Sequence, residues 1–292
     1  MGEIILVRHG QANSAARDEA SYDRLSALGA EQARLLGDWF RAQDIGFDRV
    51  LAGTLSRHRA TAAAMDLPLT FSPLCAPDIV GNGVHIHLSL WDGAGRPVTH
   101  DPAGQDGLSA PASAFVGGVL RHLNAVAAFA APSALSYLRL VPHRWSAAFN
   151  NLGRQDREAG MRICPVAGDD PTARARRFNV EMRAADAAAS PYLALAAVVL
   201  AGTLGLEAGL TAPPATSEDV SLLSPGELAR RGLTPLPGSL AAALEALEAD
   251  ALLCAALPAG LPAGYLAHKR GELAHVEGMT EQERFAAYAR TY

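Results

Sequence analysis

The sequence Gly81-Asn82-Gly83-Val84-His85-Ile86-His87-Leu88-Ser89-Leu90 alternates strictly between apolar and polar residues after its second glycine. The even positions from 84 to 90 are apolar, and the odd positions carry His85, His87 and Ser89. Alternation of period two is typical of a strand with one buried face. Two imidazoles at positions i and i+2 stand roughly 6.5–7 Å apart on such a face. That spacing suits two neighbouring centres, such as a metal ion and the phosphate it bridges, better than one shared ion.

A second stretch, Phe178-Asn179-Val180-Glu181-Met182-Arg183, repeats this pattern with Asn179, Glu181 and Arg183 at the polar positions. Two such strands predict a sheet with one face in a core and the other face lining a polar site. A histidine on one strand and a carboxylate on the other could ligate Mg²⁺ or Mn²⁺. Alternation alone is equally compatible with a solvent-exposed sheet face whose histidines have no function.

The composition is that of an ordinary globular protein of one large or two medium domains. The chain has 292 residues, of which 19% are charged, and a formal net charge of −5, so we expect no nucleic-acid partner. Cys75, Cys164 and Cys254 are scattered without metal spacing, which favours a reducing cytoplasm. The N-terminus lacks the pattern of a signal peptide. The most apolar stretch, 193–206, is too short to span a bilayer, so we expect a buried helix there and no membrane partner.

The N-terminal residues predict a short βαβα segment. Residues 3–7 form an aliphatic run, typical of a buried parallel strand, which ends in Arg8-His9-Gly10. A helix is predicted from Ser26, a second strand at 49–52, and a second helix after Thr54. The predicted apolar face of the first helix consists of Leu28, Leu35, Leu36, Trp39 and Phe40.

This segment resembles the histidine phosphatase (phosphoglycerate mutase-like) superfamily in Leu6-Val7-Arg8-His9-Gly10, in the helix start at 25–33 and in Thr54-Leu55-Ser56-Arg57. The resemblance implies His9 as a phosphorylated nucleophile, with Arg8 and Arg57 as phosphate clamps. A neutral imidazole can attack phosphorus while guanidinium groups bind its oxygens. The superfamily's acidic proton donor and second histidine do not follow in this chain. We therefore expect common ancestry, and not activity, from residues 1–66.

Three prolines between residues 67 and 77 predict a junction, and we place it at 67–80, with a second domain at 81–292. Within that domain 112–130 has helical periodicity, and 136–141 is a strand candidate that would place Tyr137 and Arg139 on one face. Further helix starts are predicted at Ser190, Ser224, Ser239 and Thr280.

Residues 80–292 resemble the C-terminal catalytic part of the glutamine synthetase family. The matching segments, in the order of that family, are 81–90, 136–140, 157–163, 180–183 and 186–192. The resemblance implies an α+β fold, in which an antiparallel sheet with helices forms part of the glutamine synthetase catalytic barrel. The short βαβα α/β fragment would precede it.

The resemblance also implies a metal and nucleotide site. His85 and Glu181 would be ligands of a divalent ion, Mg²⁺ or Mn²⁺, that bridges the phosphates of ATP, and His87 and Ser89 would lie beside the nucleotide.

Basic residues complete the implied site. Arg139, Arg183 and Gly81 would hold the amino-acid substrate, and Arg157 and Arg162 would bind ATP and neutralise the transferred γ-phosphoryl group. Metal ions and guanidinium groups would offset the charges of the phosphate and the carboxylate, so that these two anions can approach each other. Arg157, Arg162 and Arg139 are the expected catalytic residues.

The chain departs from the family in three ways. Val80 stands where the family has an asparagine that contacts the amino-acid substrate. Trp145, six residues after Arg139, stands where the family has a glutamate that helps to bind and deprotonate ammonium, which favours an organic amine. The family's N-terminal β-grasp domain and first half of the barrel are not matched, so the carboxylates of a first metal are expected to be missing.

The sequence therefore predicts a cytoplasmic, ATP-dependent carboxylate–amine ligase of nitrogen metabolism. It would join glutamate to ammonia or an organic amine through γ-glutamyl phosphate. Two alternatives stay open: a phosphohydrolase acting through His9, and a non-catalytic fusion that retains nucleotide or metal binding. A homo-oligomer and an association with a full-length paralogue are both compatible with the sequence.

Overall fold

The structure is a computed structural model that describes residues 9–13, 15, 17–47, 56–66, 70–168 and 170–292. The chain divides into two compact units, Met1–Phe71 with Ala289–Tyr292, and Ser72–Tyr288. Arg8 and the strands predicted at 3–7 and 49–52 lie outside the described residues.

The first unit contains the helices α1 (Glu19–Tyr22), α2 (Ala27–Ala42) and α3 (Ser56–Ala64). The helix predicted from Ser26 is α2, and Ser26 caps it, because its side chain accepts a hydrogen bond from the N–H of Gly29 at 3.0 Å. Such a cap satisfies a donor that the first helical turn would otherwise leave unpaired.

The predicted apolar face of α2 is wrong for Leu28, Leu35 and Trp39, each of which is more than half exposed. The helix packs through mostly small residues spaced three or four apart. The reason is close backbone approach, since a Cβ atom at position 37 would lie 2.6 Å from the carbonyl oxygen of Met65. The buried residues of α2 are Gly29, Ala33, Gly37 and Phe40.

The second unit is built on a four-stranded sheet with the strand order β1-β4-β3-β2. β1 pairs with β4 and β4 pairs with β3 in antiparallel fashion, while β2 and β3 run parallel. The expected α+β class is confirmed. The strands are β1 (Val84–Leu88), β2 (Phe149–Arg154), β3 (Ala159–Ile163) and β4 (Val180–Ala185).

Helices lie between and after these strands along the chain. At two predicted helix starts the serine caps the helix, since Ser224 accepts from the N–H of Glu227 at 3.2 Å and Ser239 from that of Ala242 at 3.1 Å. Ser190 takes the N-cap position of the helix at 191–207, but its side chain makes no capping hydrogen bond. The helices are α4 (Ala110–Arg121), α5 (Leu123–Ala130), α6 (Pro171–Arg177), α7 (Pro191–Glu207), α8 (Pro225–Arg231), α9 (Leu240–Ala249), α10 (Ala251–Ala256), α11 (Leu261–His275) and α12 (Glu281–Thr291).

Two sequence expectations are corrected. The helical stretch 112–130 is two helices that meet at His122 with a bend of 73°, and the ring of His122 lies 2.6 Å from Asp250. The strand expected at 136–141 begins instead as the 3₁₀-helix Ala134–Leu138, because Ser133 and Ser136 cap its start reciprocally. Short-range hydrogen bonds of this kind compete with a strand ladder.

The apolar helix α7 buries only one side. Ala194, Ala197 and Ala201 are buried, whereas Leu195 and Val199 are exposed by 44% and 46%, so the helix that was expected to be buried is buried on one side only. Within the described residues no single helix is long and apolar enough to cross a membrane, and the bent pair α4–α5 passes that test by length and composition only.

The core lies between the back of the sheet and helices α4, α5, α7 and α9. Val119, Phe129, Met161, Met182 and Leu244 are all buried in it. The alternation of β1, β3 and β4 therefore leaves their polar side chains together on the opposite face of the sheet.

Candidate active site

The polar face of the sheet brings β1, β4 and β3 together around one carboxylate. In the strand register His87 of β1 lies opposite Glu181 of β4, and Arg162 of β3 lies opposite Glu181 on its other side. The two alternating stretches of the sequence are thus neighbouring strands. Residues far apart in the sequence meet here because backbone pairing fixes their positions.

Glu181 is completely buried, and its two oxygens have different partners. Oε1 is paired with the guanidinium groups of Arg162, at 2.7 Å, and Arg183. Oε2 lies 2.9 Å from Nε2 of His87 and 3.5 Å from Sγ of Cys164. Burial by itself would raise the pKa of this carboxyl group, but the hydrogen bond and charge of Arg183, with Arg162, outweigh it and lower the pKa. Glu181 is therefore ionised.

His85 lies on the same face, and its Nδ1 is 3.4 Å from Nη1 of Arg183. Burial lowers the pKa of His85, and the nearby charge of Arg183 lowers it further. The imidazole is consequently neutral at pH 7, and because a guanidinium can only donate, its Nδ1 lone pair accepts from Arg183.

Arg139 is held almost entirely by protein groups. Its Nη2 donates to the carbonyl oxygen of Ala185 at 3.0 Å and lies 3.6 Å from the carboxylate of Asp186, and its Nη1 donates to Ser146. Burial raises the pKa of Asp186, and the charge of Arg139 opposes that rise. Arg139 thus supports the wall of the site with a guanidinium that already has several partners.

A cavity of about 410 Å³ opens beside this cluster. Five arginines and no acidic residue line it, so it suits a carboxylate or phosphate. Gly81 borders it with a φ of +79°, and a Cβ atom there would lie 2.3 Å from the carbonyl oxygen of Pro73, which requires glycine. The lining comprises Val80, Gly81, Asn82, Gly83, His85, Arg139, Arg144, Trp145, Arg157, Arg162 and Arg183.

Trp145 is 70% exposed at the rim of this cavity, on a loop with an uncommon backbone. His143 and Trp145 have φ values of +65° and +55°. Their N–H groups donate to the carboxylate of Glu158 at 2.9 and 3.2 Å. Glu158 thus holds the loop in a conformation that non-glycine residues rarely adopt.

A second cavity, of about 590 Å³, borders this loop, and it is lined by four carboxylates and by the guanidinium of Arg154. His143 lines it, whereas Trp145 lines the arginine-rich cavity, so the loop borders both. The carboxylates that line the second cavity are those of Asp156, Glu158, Glu218 and Asp219.

Sequence reasoning missed Glu158 and Cys164. Cys164 directly follows β3 and is two residues from Arg162, so the two side chains point to the same face of the sheet. This spacing was the signal in the sequence that the thiol would face the cluster. The ligand atoms of His87, Cys164 and Glu181 all lie within 4.8 Å of one another. Burial, with the nearby charge of Glu181, raises the pKa of the Cys164 thiol to about 11.

The donor set tests the divalent ion implied by the family resemblance. Mg²⁺ prefers oxygen ligands, but the cluster contains one carboxylate together with the imidazole of His87 and the thiol of Cys164. These three residues therefore do not match a magnesium site. His85, the expected metal ligand, is near Arg183, while His87 is the imidazole paired with Glu181.

The other sequence candidates have partners of their own. Ser89 is exposed, and its hydroxyl accepts from the indole N–H of Trp91 at 3.0 Å. In the first unit, the His9 ring stacks on His58 at 5.4 Å. Arg57 is paired with Asp23 at 3.1 Å.

Comparison with known families finds two matches along the chain. Residues 54–288 match the glutamine synthetase catalytic domain, and residues 4–75 match the histidine phosphatase superfamily, branch 1. Both resemblances seen in the sequence, and the fusion they imply, are confirmed.

Individual relatives agree with the first match. Gamma-glutamylpolyamine synthetase GlnA3 of Streptomyces coelicolor is 40% identical over 237 residues, which is 80% of this chain and 49% of that protein. A crystal structure of a novel glutamine synthase homolog has a TM-score of 0.70 and 42% identity, covering 81% of this chain and 51% of its own. The GmaS/ADP complex has a TM-score of 0.64 and 32% identity, with 78% and 51% covered. The chain spans about half the length of these relatives.

Proposed function

We propose that this chain, which belongs to the glutamine synthetase family, carries the catalytic face of a ligase that joins the γ-carboxylate of glutamate to an organic amine. The family is ATP-dependent and uses divalent metals, and the intermediate would be γ-glutamyl phosphate. The observation that carries the proposal is the cavity lined by five arginines beside the ionised Glu181.

Transfer of a phosphoryl group to a carboxylate requires two anions to meet. Arg157 and Arg162 line the cavity and would neutralise the γ-phosphoryl oxygens. Arg183 would orient the glutamate, and its own position is set by Glu181 and by a 3.0 Å hydrogen bond from its Nε to the carbonyl oxygen of Arg157. Arg139 lines the same cavity and would support this wall through its hydrogen bond to the carbonyl oxygen of Ala185.

The nucleotide is proposed to be ATP, and the GmaS relative whose structure contains ADP supports this assignment. His87 and Ser89 would lie towards its phosphates, as the family resemblance implies.

An organic amine is proposed as the acceptor in place of ammonia. An indole at position 145 cannot remove a proton from ammonium, but it can cover the alkyl part of an amine. The relative named gamma-glutamylpolyamine synthetase supports a polyamine. The second cavity, in which carboxylates outnumber cationic groups, also favours an acceptor with more than one positive charge.

The test is the release of ADP from ATP and glutamate in the presence of a polyamine, a monoamine of equal length, or ammonium. We expect the polyamine to give the highest kcat/KM. Arg162→Ala should lower that value by at least about 100-fold, because it removes charge stabilisation where charge develops. Arg96→Ala is the matched control, since Arg96 is exposed and paired with Asp92 away from the cavity.

Two outcomes would contradict the proposal. One is ADP release that does not depend on any amine, and the other is a preference for ammonium. Loss of activity in Arg96→Ala equal to that in Arg162→Ala would show that the effect is not local to the cavity.

We also propose the organisation of the chain as 1–66, a junction at 67–80 and a catalytic domain at 81–292, in a cytoplasmic protein. The free thiols of Cys75, Cys164 and Cys254 support a reducing compartment. We further propose that the protein assembles, either with copies of itself or with a full-length paralogue. The mass of the native assembly tests this.

A further inference from the structure

We infer that His87, Cys164 and Glu181 form a binding site for a thiophilic divalent ion of the Zn²⁺ class, with one coordination position open to solvent. The inference goes beyond the ligase proposal, because it concerns an ion chosen by a thiolate and does not depend on turnover.

The three donor atoms lie within 4.8 Å of one another, close to the spacing that a small tetrahedral ion requires. Bonds of about 2.0–2.3 Å in a tetrahedron place neighbouring ligand atoms roughly 3.3–3.8 Å apart. Sγ of Cys164 lies 3.5 Å from Oε2 of Glu181, and Nε2 of His87 lies 2.9 Å from that same oxygen. Opening the cluster by a few tenths of an ångström would admit the ion.

His87 can make that adjustment, because 54% of its side chain is exposed. Its Nδ1 lies 2.9 Å from the side-chain oxygen of Asn179. Such a contact orients the ring and directs Nε2 at the ion. Cys164 and Glu181 are buried, so the fourth position faces outward beside His87.

The charges around the cluster favour a thiophilic ion over Mg²⁺. Oε1 of Glu181 is paired with the guanidinium groups of Arg162 and Arg183. A cation bound at Oε2 would therefore share the single negative charge of this carboxylate with two other cations. An ion that binds sulfur ionises the thiol of Cys164 and thereby gains a second negative ligand. Mg²⁺ has little affinity for sulfur and obtains no such compensation.

The experiment is a titration of the purified chain with Co²⁺, a spectroscopic substitute for Zn²⁺, without ATP or amine. We expect one Co²⁺ per chain, tetrahedral visible bands and a sulfur-to-cobalt charge-transfer band in the near ultraviolet. Zn²⁺ should remove these bands, and a hundredfold excess of Mg²⁺ should leave them. Cys164→Ser should abolish the charge-transfer band, and the matched control Cys254→Ser should retain it.

His87→Ala provides a second variant, because its exposed ring can be removed without opening the core. We expect it to weaken Co²⁺ binding at least about tenfold, as loss of even an outer-shell partner does. The inference would be overturned if the sulfur-to-cobalt charge-transfer band did not form. It would also be overturned if that band survived in Cys164→Ser or was lost in Cys254→Ser. Since the titration needs no turnover, cobalt binding and ligase activity can each fail without the other.

Discussion

Single residues decide the chemistry of the site, and Glu181 is the clearest case. Its carboxylate serves two guanidinium groups through one oxygen and the side chains of His87 and Cys164 through the other. Because the group is buried, it stays ionised only while those cations remain beside it.

Trp145 is the residue on which the proposed amine preference depends. Trp145→Ala should raise the KM for an organic amine about tenfold, since uncovering roughly 55 Å² of alkyl surface costs about 1.4 kcal/mol. The KM for ammonium should not change. Steady-state kinetics with both acceptors measure this, and Trp39→Ala, which alters an exposed indole of α2, is the control. An equal rise for both acceptors would contradict the role of the indole.

Asp106 provides a test of pH dependence at a residue outside the site. Its carboxylate accepts from Arg154 at 2.8 Å and from the N–H of Ala215 at 2.9 Å. Burial alone would raise its pKa, but the hydrogen bonds to Arg154 and Ala215 lower it below 3.8. This stabilisation is complete above the unfolded pKa and is lost as the pH falls through the lower, folded pKa.

Asp106→Asn should therefore lower the free energy of unfolding by about 1 kcal/mol at pH 7 and by much less at pH 3. Asparagine suits the positive φ of this position as well as aspartate does. Urea unfolding at both pH values measures the effect. Asp44→Asn, at an exposed position that also has a positive φ, is the control. An equal loss at both pH values would exclude the carboxylate as the cause.

At the scale of elements, the loop that carries Trp145 is held from one side by Glu158. Glu158→Ala removes the acceptor of two backbone N–H groups, and each hydrogen bond to a charged group is worth about 1.5–3 kcal/mol. We expect amide hydrogen exchange at His143 and Trp145 to accelerate at least tenfold. Glu248→Ala, which breaks an exposed ion pair with Arg270, should leave both rates unchanged. Unchanged rates in Glu158→Ala would refute the restraint.

The packing of α4 on α7 depends on glycines at the contact. A Cβ atom on Gly118 would lie 2.3 Å from the carbonyl oxygen of Ala201. Because this oxygen belongs to the backbone, it cannot move aside as a flexible side chain could. Gly118→Ala should lower the free energy of unfolding by about 1–3 kcal/mol.

The matched control for this packing lies in α11. A Cβ atom on Gly271 meets nothing within 4 Å, so Gly271→Ala should stabilise the protein by up to about 1 kcal/mol through helix propensity alone. Chemical unfolding of the two variants measures both effects, and a stabilised Gly118→Ala variant would contradict the packing.

At the scale of the whole molecule, the distribution of charge is as informative as its total. The chain carries a net charge of −5, yet five arginines line one cavity and four carboxylates line another. A loop borders both cavities, which suits a reaction that joins an anionic substrate to a cationic one.

The joining of two family segments raises the question of a second activity. Arg57, one expected phosphate clamp, is paired with Asp23, which offsets the charge that a phosphate would need. We expect phosphate release from a simple monoester to be the same for the unaltered protein and for His9→Ala. Amine-dependent ADP release should also change less than twofold in that variant. Hydrolysis abolished by His9→Ala would establish a phosphatase instead.

The sequence alone determined the class of fold and the composition of each face. Alternation in 84–90 and 178–183 separates apolar from polar positions, and the caps at Ser26, Ser224 and Ser239 mark helix starts, because periodicity and capping act within a few residues. The sequence did not predict the buried face of α2, because close contact with backbone distant in the sequence selects small residues there over large apolar ones.

Only the tertiary structure decided which groups meet. His87, and not His85, pairs with Glu181 because of the register of β1 on β4. Cys164 joins them because it directly follows β3, which pairs with the other side of β4. The same holds for Glu158 and the loop of Trp145. Contacts between distant segments depend on backbone pairing and core packing across the whole unit, and no local pattern in either segment specifies them.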